Sequence, residues 1–338
     1  MKSDEWKAVV LHKMGLTSPM SAREICLRHN GVQAQFQTYA DEGFKSRMSR
    51  ADFAGDWSGD LVRQWSIRGT VHAYLKEEIP LYLYEGRNYC RPSLALPSRD
   101  GRIPAEEKKY YARLILDSLR SGNKNREELK AVCRGDGLTQ EKEKSLFNAW
   151  GGIIASLVSE GLIYQEYGRR AFGLLQGYRP ADQETAELEI ARRYFSGFGP
   201  VTMADARYYF KENKTVIEKW MKKLDLNTAE VDGKTRFYCG ELPSPAGIPE
   251  VLLVAGFDAV LLVFEKRENP FFDPQHIRDI YTMTGILKPT VMLNGQLAAT
   301  WRREKGTIYI KPFRKIKAAE KKRIASKAAE DGASVCFE

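Results

Sequence analysis

Three times along this chain a run of helix-period sequence ends in a short pair of strand-like segments, and that recurring order constrains the fold more than any other feature. In the first copy, helical patterns run through Glu5–Met14, Ala22–His29 and from about Phe36 to Met48. Strand-like runs Asp60–Ile67 and Thr70–Tyr74 follow, joined at Arg68-Gly69, and Glu77–Leu83 reads as a short helix despite Pro80. Helices packed on helices and closed by a β hairpin make the winged form of the helix-turn-helix. The sequences share this order of segments, not residue identity.

A linker rich in Pro, Ser and Gly runs from Arg91-Pro92-Ser93 to Ile103-Pro104. In the second copy Tyr111, Leu114, Ile115 and Leu119 have helical spacing, and Asn125 is placed to cap the next helix. A third helix would carry Leu146, Trp150, Ile153, Ile154, Leu157 and Val158 on one stripe and end at Gly161. Leu162–Glu166 and Ala171–Leu175 flank Gly168 as a wing. The third copy has a helix through Leu188, Ala191, Tyr194 and Phe195, and a second capped by Thr202 with Asp205 three residues on. Its last helix carries Val216, Trp220 and Leu224, and Asp232-Gly233 signals a tight hairpin. The character changes at Leu242-Pro243-Ser244-Pro245, after which Val251–Ala255 and Ala259–Phe264 read as strands. Asn294-Gly295 marks another hairpin, Thr307–Lys311 another strand, and a basic helix from about Lys315 to Ala329 closes the chain. The expected fold class is α+β: three winged-helix units and a small C-terminal β module with a terminal basic helix. The boundaries fall at 1–90, 104–178, 182–242 and 250–338.

Hydrophobic residues make up 43% of the 338 and charged residues 29%, enough apolar surface for packed cores. No apolar run approaches a membrane span, and the start, Met1-Lys2-Ser3-Asp4-Glu5-Trp6, has no signal layout, so we expect a cytoplasmic protein with no membrane partner. Cys26, Cys90, Cys133, Cys239 and Cys336 are scattered without a C-x-x-C pair, and His12, His29, His72 and His276 are dispersed. No metal and no cofactor are expected. The net charge of +9 favours a polyanionic partner.

The chemistry-bearing residues carry no obvious acid, base or nucleophile. Gly31-Val32-Gln33-Ala34-Gln35 places two carboxamides two residues apart. On a helix they would diverge by about 200°; in an extended entry segment, which Gly31 permits, they point to one side. A carboxamide does not titrate, but it donates and accepts at once and can hold a water or a base edge. Such a pair suits a cationic leaving group, which needs an oriented water and stabilisation of developing sugar charge, not protonation. Arg68, Thr70 and His72 alternate, so on a strand they share a face. Arg68 and Thr70 can bind phosphate, and His72 phosphate or the pocket wall; equally, Arg68-Gly69-Thr70 can simply form the wing turn over a buried His72.

The glutamine pair, together with Arg68-Gly69-Thr70-x-His72, resembles the motifs of the AlkZ-like (YcaQ-related) DNA glycosylases. The resemblance continues through Gly199-Pro200-Val201-Thr202-x-x-Asp205, Phe257-Asp258-Ala259-Val260-Leu261-Leu262 with Arg267, and Lys288-Pro289-Thr290-Val291 to Gly295. It ends with Thr300-Trp301-Arg302 and Lys311-Pro312-Phe313, so it covers nearly the whole chain. The YcaQ-like branch has an acidic second motif residue; Gln35 aligns this chain with the AlkZ-like branch. Arg207-Tyr208-Tyr209-Phe210-Lys211-Glu212-Asn213 departs from the family's aromatic stretch.

The resemblance implies a winged-helix enzyme that hydrolyses the N-glycosidic bond of alkylated purines in double-stranded DNA and unhooks interstrand crosslinks. Gln33 and Gln35 would be catalytic. Arg68, Thr70, His72, Arg267 and Arg302 would contact DNA or line the pocket. Apart from the resemblance, the segment Asn269–Ile280, with His276 and Arg278, reads either as a DNA-touching loop or as a solvated connection between β regions. No Schiff-base lysine stands out, so a monofunctional glycosylase is expected, with no obligate protein partner. Two other classes share the charge and the segment order: a non-enzymatic winged-helix regulator, which binds DNA but leaves the bond intact, and a protein-interaction module, which shows no salt-dependent DNA binding.

Overall fold

The computed structural model describes residues 1–89, 92–149, 152–244 and 247–338. Cys90, Arg91 at the head of the linker, Trp150 of the helical stripe and Pro245 of the composition break lie outside those residues. The fold is mixed α+β. It divides into two compact units, Met1–Trp57 with Glu187–Glu338, and Ser58–Ala186.

The first unit opens with helices α1 (Ser3–Lys13) and α2 (Ala22–His29), an extended segment β1 (Val32–Gln33), and helices α3 (Gln37–Lys45) and α4 (Arg50–Ala54). Ser21 and Glu24 form a reciprocal capping box at the start of α2.

The second unit begins with antiparallel strands β2 (Leu61–Trp65) and β3 (Val71–Leu75), in register from Leu61 opposite Leu75 to Trp65 opposite Val71. A 3-10 turn at Lys76–Glu78 runs into α5 (Ile79–Tyr82), with Pro80 tolerated in the first turn, where its missing N–H has no helical partner anyway. Helices α6 (Ala105–Leu119), α7 (Arg126–Gly135), α8 (Gln140–Leu146) and α9 (Ile153–Ser159) then lead to the hairpin β4 (Ile163–Gln165) and β5 (Phe172–Leu174). Asn125 caps α7, accepting from the backbone of Glu127 and Glu128. The single helix expected through Leu146 and Val158 is instead two, α8 and α9, with Gly152 at the N-cap of the second. Both halves bury apolar side chains in one core, with Leu146, Ile153, Leu157 and Val158 packed among Tyr111, Ile115 and Leu129, so the apolar stripe was real and its continuity was not.

The chain returns to the first unit through α10 (Gln183–Gly197), α11 (Met203–Phe210), α12 (Lys214–Lys223) and the hairpin β6 (Leu226–Val231) and β7 (Lys234–Cys239), whose turn holds Asp232 and Gly233 at φ 51° and 72°. Thr202 and Asp205 form the capping box of α11. Asp205 is buried; its other oxygen accepts from the backbone of Glu265 at 2.9 Å, and Arg236 lies 3.5 Å away. Desolvation raises the Asp205 pKa against those hydrogen bonds. The Gly199-to-Asp205 motif thus serves the frame of the unit.

The β module starts with β8 (Val251–Val254), but Ala259–Phe264 is not a strand: α13 (Ala259–Leu262) begins there, with Asp258 accepting from the backbone of Val260. A short, wholly apolar run has no period to separate strand from buried helix, and the capping aspartate decides it. After α14 (Ile277–Ile280), strands β9 (Thr290–Leu293), β10 (Gln296–Glu304) and β11 (Thr307–Pro312) form antiparallel neighbours. Helix α15 (Ala318–Glu330) leads to β12 (Ser334–Phe337), which pairs parallel to β11 and completes the order β12-β11-β10-β9-β8. Ile324 and Ala328 of α15 join Val291, Trp301, Ile308 and Ile310 in its core. The basic residues expected on this helix lie mostly away from that core, and several are engaged: Arg323 with Glu250 at 3.2 Å, Lys327 with Glu330 at 2.8 Å.

One buried ion pair ties these segments together. Arg47 donates to both oxygens of Asp258 at 2.7 and 2.9 Å, and also to the carbonyls of Met14 and Gly43 at 2.8 and 3.0 Å. Removing one partner of a buried pair strands the other charge, typically at about 3–5 kcal/mol. Arg47→Ala and Asp258→Ala are each expected to lower unfolding free energy by about that much, read as a shift of the urea midpoint with unchanged slope.

Candidate active site

The glutamine segment is set between two helix ends. Asn30 and Gly31, at the end of α2, both adopt left-handed backbone, φ 57° and 81°. Asn is among the few side chains that tolerate this, and Gly31 carries no Cβ to oppose it. The Asn30 amide donates to the carbonyl of Ile190 at 3.0 Å, which fixes the turn. The chain leaves it extended through Val32 and Gln33, and α3 does not start until Gln37. Gln33 and Gln35 therefore lie outside helical backbone, as Gly31 led us to expect.

Their environments differ. Gln33 is 7% exposed, and its side-chain carbonyl oxygen is buried with no hydrogen-bond partner among the described residues. A buried acceptor left unpaired costs about 1–3 kcal/mol, so the fold holds a carboxamide where stability alone would favour an apolar side chain. Ala34 is fully buried, and Gln35 is half-buried.

Directly after Gln35, Phe36 occupies the N-cap of α3. Its ring stacks on Phe257 (centroids 5.7 Å, 23° between planes) and leans on Tyr39 at 5.7 Å. Phe257 holds a left-handed backbone, φ 56°. Beside it, a Cβ on Gly256 would fall 2.8 Å from both the Tyr39 ring and the Leu287 carbonyl, so only glycine permits this approach. Sequence reasoning missed this cluster. The available signal was Phe36 itself, an aromatic at a position that ordinarily takes Ser, Thr, Asp or Asn. Tyr39, Asp41 and Glu42 of α3, with Phe53 of α4 and Trp301 and Arg303 of β10, help line a cleft of about 520 Å³.

Among the other residues expected in this unit, Arg267 is exposed on the loop after α13. The His276 ring stacks on Phe313 at 4.7 Å and 14°, and its Nδ1 lies 3.1 Å from Asp279. Arg278 is exposed and donates to the Met283 sulfur at 3.1 Å. Arg302 is committed to acidic partners, Glu304 and Glu338, the latter at 2.7 Å, and lies over the Tyr309 ring at 4.3 Å. A phosphate there would have to displace carboxylates.

In the second unit, Arg68, Thr70 and His72 do not share a strand face. Arg68 and Gly69 form the hairpin tip in left-handed conformation, φ 63° and 66°, and Thr70 precedes the strand. Only His72 lies within β3. The Arg68-Gly69 pair makes the turn that joins the strands, because consecutive left-handed residues match the strand twist. His72 is 4% exposed; burial first, then the charge of Arg68, depresses its pKa to about 3 against the opposing hydrogen bond to Thr70. A carbonyl only accepts, so His72 Nδ1–H donates to Thr70 at 3.2 Å and Nε2 is left unprotonated. The imidazole is neutral at physiological pH and offers no cation to a phosphate. Among the described residues no group of three or more His, Cys, Asp or Glu is arranged to hold a metal ion, and no helix is long and apolar enough to cross a membrane.

Residues 28–333 match the family described as DNA glycosylase AlkZ-like. The chain belongs to the AlkZ-like DNA glycosylase family. Its members are hydrolases of N-glycosyl bonds, and membership decides for an enzyme over the regulator and the interaction module. A relative from Streptomyces sahachiroi, named an interstrand DNA cross-link repair glycosylase, is 24% identical over 337 residues, covering 91% of this chain and 89% of its own length. The solved structure of Streptomyces sahachiroi DNA glycosylase AlkZ has the same fold, with a TM-score of 0.74 at 19% identity over 98% of this chain and 99% of that one.

Two buried imidazoles contribute to how this glycosylase responds to acid. His29 resembles His72: burial, then the Arg47 charge, lowers its pKa to about 3, while its ring stacks on Phe198 at 5.0 Å and Nε2 contacts the Lys13 carbonyl at 3.3 Å. An unfolded histidine titrates near 6.5. Between these values the unfolded chain binds the extra proton, so the stability each neutral imidazole contributes is full above pH 6.5 and is lost as pH drops towards 3. The slope is about 1.4 kcal/mol per pH unit for each such histidine. His29→Gln is expected to flatten this dependence by that amount, read from urea midpoints between pH 3.5 and 7.

Proposed function

We propose that this DNA glycosylase hydrolyses the N-glycosidic bond of cationic alkylated purines, N7-alkylguanine and N3-alkyladenine, in double-stranded DNA, and that it unhooks interstrand crosslinks of the same chemistry. Gln33 and Gln35 hold the attacking water. The observation that supports this reading best is the unpaired, buried carboxamide oxygen of Gln33, two residues from Gln35 on non-helical backbone. The name of the Streptomyces sahachiroi relative supports the crosslink class. An N7-alkylated purine already carries the positive charge that makes it leave. The bond breaks with its electron pair going to the base, water adds to the sugar carbon, and the proton of that water passes to solvent. Two amides orient the water and stabilise the developing charge without exchanging a proton themselves.

Arg267, His276, Arg278 and Arg302 in the first unit, and Arg68 and Thr70 in the second, are read as DNA contacts. The neutral His72 is read as a pocket-lining group. The helix-and-hairpin segments at 1–90, 104–178 and 182–242 are read as three winged-helix units and 250–338 as the β module, acting on chromosomal DNA in the cytoplasm.

Release of 7-methylguanine from methylated duplex DNA tests the chemistry. Gln33→Ala and Gln35→Ala are each expected to slow single-turnover release at least 100-fold, an effect typical of losing a preorganised polar group, with duplex affinity held within about threefold. Gln33→Met should be as inactive yet at least as stable as the native protein, because it replaces a side chain whose buried carbonyl oxygen has no partner among the described residues with an apolar one of similar size. The native rate should be flat between pH 6 and 9. Native rates in both alanine variants would place the chemistry elsewhere.

A further inference from the structure

We infer that Phe36 is the ring on which a nucleobase of the bound DNA stacks, beside the glutamine pair; the inference rests on the reading of Gln33 and Gln35 given above. Large aromatic side chains in this protein are mostly buried, but Phe36 is 40% exposed, and it is the next residue after Gln35. It breaks a local rule where it stands. As the N-cap of α3 it makes no side-chain cap, like Lys2, Pro104, Gly152 and Lys317 at other helix starts and unlike Ser21, Ser49, Asn125, Thr139, Thr202 and Asn213, and it puts a large apolar ring where the polar caps stand. A residue that forgoes a cap and leaves apolar surface in water is unfavourable for folding on both counts.

The ring is nevertheless held firmly from behind. Phe257 lies against it at 23° and Tyr39 braces it from the side, with Tyr39 in turn fixed against Gly256. Holding Phe257 at φ 56° is itself strained for a residue other than glycine. What results is a two-ring stack with its outer ring facing solvent, one residue from the water-holding amide. A flat π surface of that kind takes a flat π partner, and an extruded purine is the partner the family's chemistry brings to this point. A cationic alkylpurine gains further from an aromatic face, which attracts positive charge.

The test separates stacking from packing. Phe36→Leu keeps apolar volume against Phe257 but has no π face; Phe36→Trp keeps both. The readout is the ratio of affinities for a duplex carrying a hydrolysis-resistant 2′-fluoro 7-methylguanine and for the same undamaged duplex. A purely structural role would weaken both affinities and leave the ratio unchanged. Phe36→Leu is expected to lower the ratio about tenfold, or about 1.4 kcal/mol, within the range for base–aromatic stacking, and Phe36→Trp to keep it within about twofold. Added lesion duplex should also quench the extra indole of Phe36→Trp, above the native background. An unchanged ratio in Phe36→Leu, or an unquenched indole, overturns the inference. Gln33→Ala and Gln35→Ala are assayed alongside for excision. If either is inactive while Phe36→Leu keeps its lesion preference, the stacking role alone falls; if both excise at the native rate, the glutamine reading falls and this inference with it.

Discussion

The pairing of Arg47 with Asp258 is the contact on which the rest of the candidate site depends. Its two residues are 211 apart in sequence and almost wholly buried. Arg47 sits just past the end of α3 and donates to the carbonyl of Gly43 in that helix and to that of Met14 just after α1. Asp258 starts α13, and its neighbour Phe257 supports Phe36 at the opposite end of α3. Two adjacent residues of the C-terminal module thus hold both ends of the helix that follows the glutamines. An ion pair desolvated this fully is an uncertain source of net stability, but it is a strict one of geometry, because few arrangements satisfy both charges at once.

The two side chains proposed to do the chemistry do not titrate. Gln33 and Gln35 cannot ionise, and the nearest buried imidazole in the same unit, that of His29, is held neutral. Such a site is poor at catalysis that needs proton transfer and well matched to a substrate that arrives with its charge already in place. The unpaired oxygen of Gln33 and the uncapped start of α3 fit the same picture, since each sacrifices some folding free energy close to the residues proposed to act.

Most of the element order was legible because it rests on local signals. Asp232-Gly233 and Asn294-Gly295 make the hairpin turns expected of them, and Thr202 with Asp205, like Asn125, caps where the spacing required. Local signals failed where burial was complete. Ala259–Phe264 has no polar face to set a period, so its helix was hidden, and the apolar stripe from Leu146 to Val158 concealed a break between two helices. The glutamine pair was legible as a motif and Gly31 as the reason for its non-helical backbone. The unpaired state of Gln33, the neutrality of His72 and the Phe36–Phe257 stack were not, because each depends on which distant residues surround the group.

The first unit is assembled from both ends of the chain, Met1–Trp57 and Glu187–Glu338, while the second is continuous. On the ribosome the segment bearing the glutamines precedes by more than 200 residues the Asp258 that pairs with Arg47 at the end of α3. The middle unit can close its own core in the meantime, since contacts within one continuous stretch form before those that must wait for later sequence. The frame around α3 therefore closes only after Phe257 and Asp258 have been made, and a chain broken off before them carries the glutamines without that support.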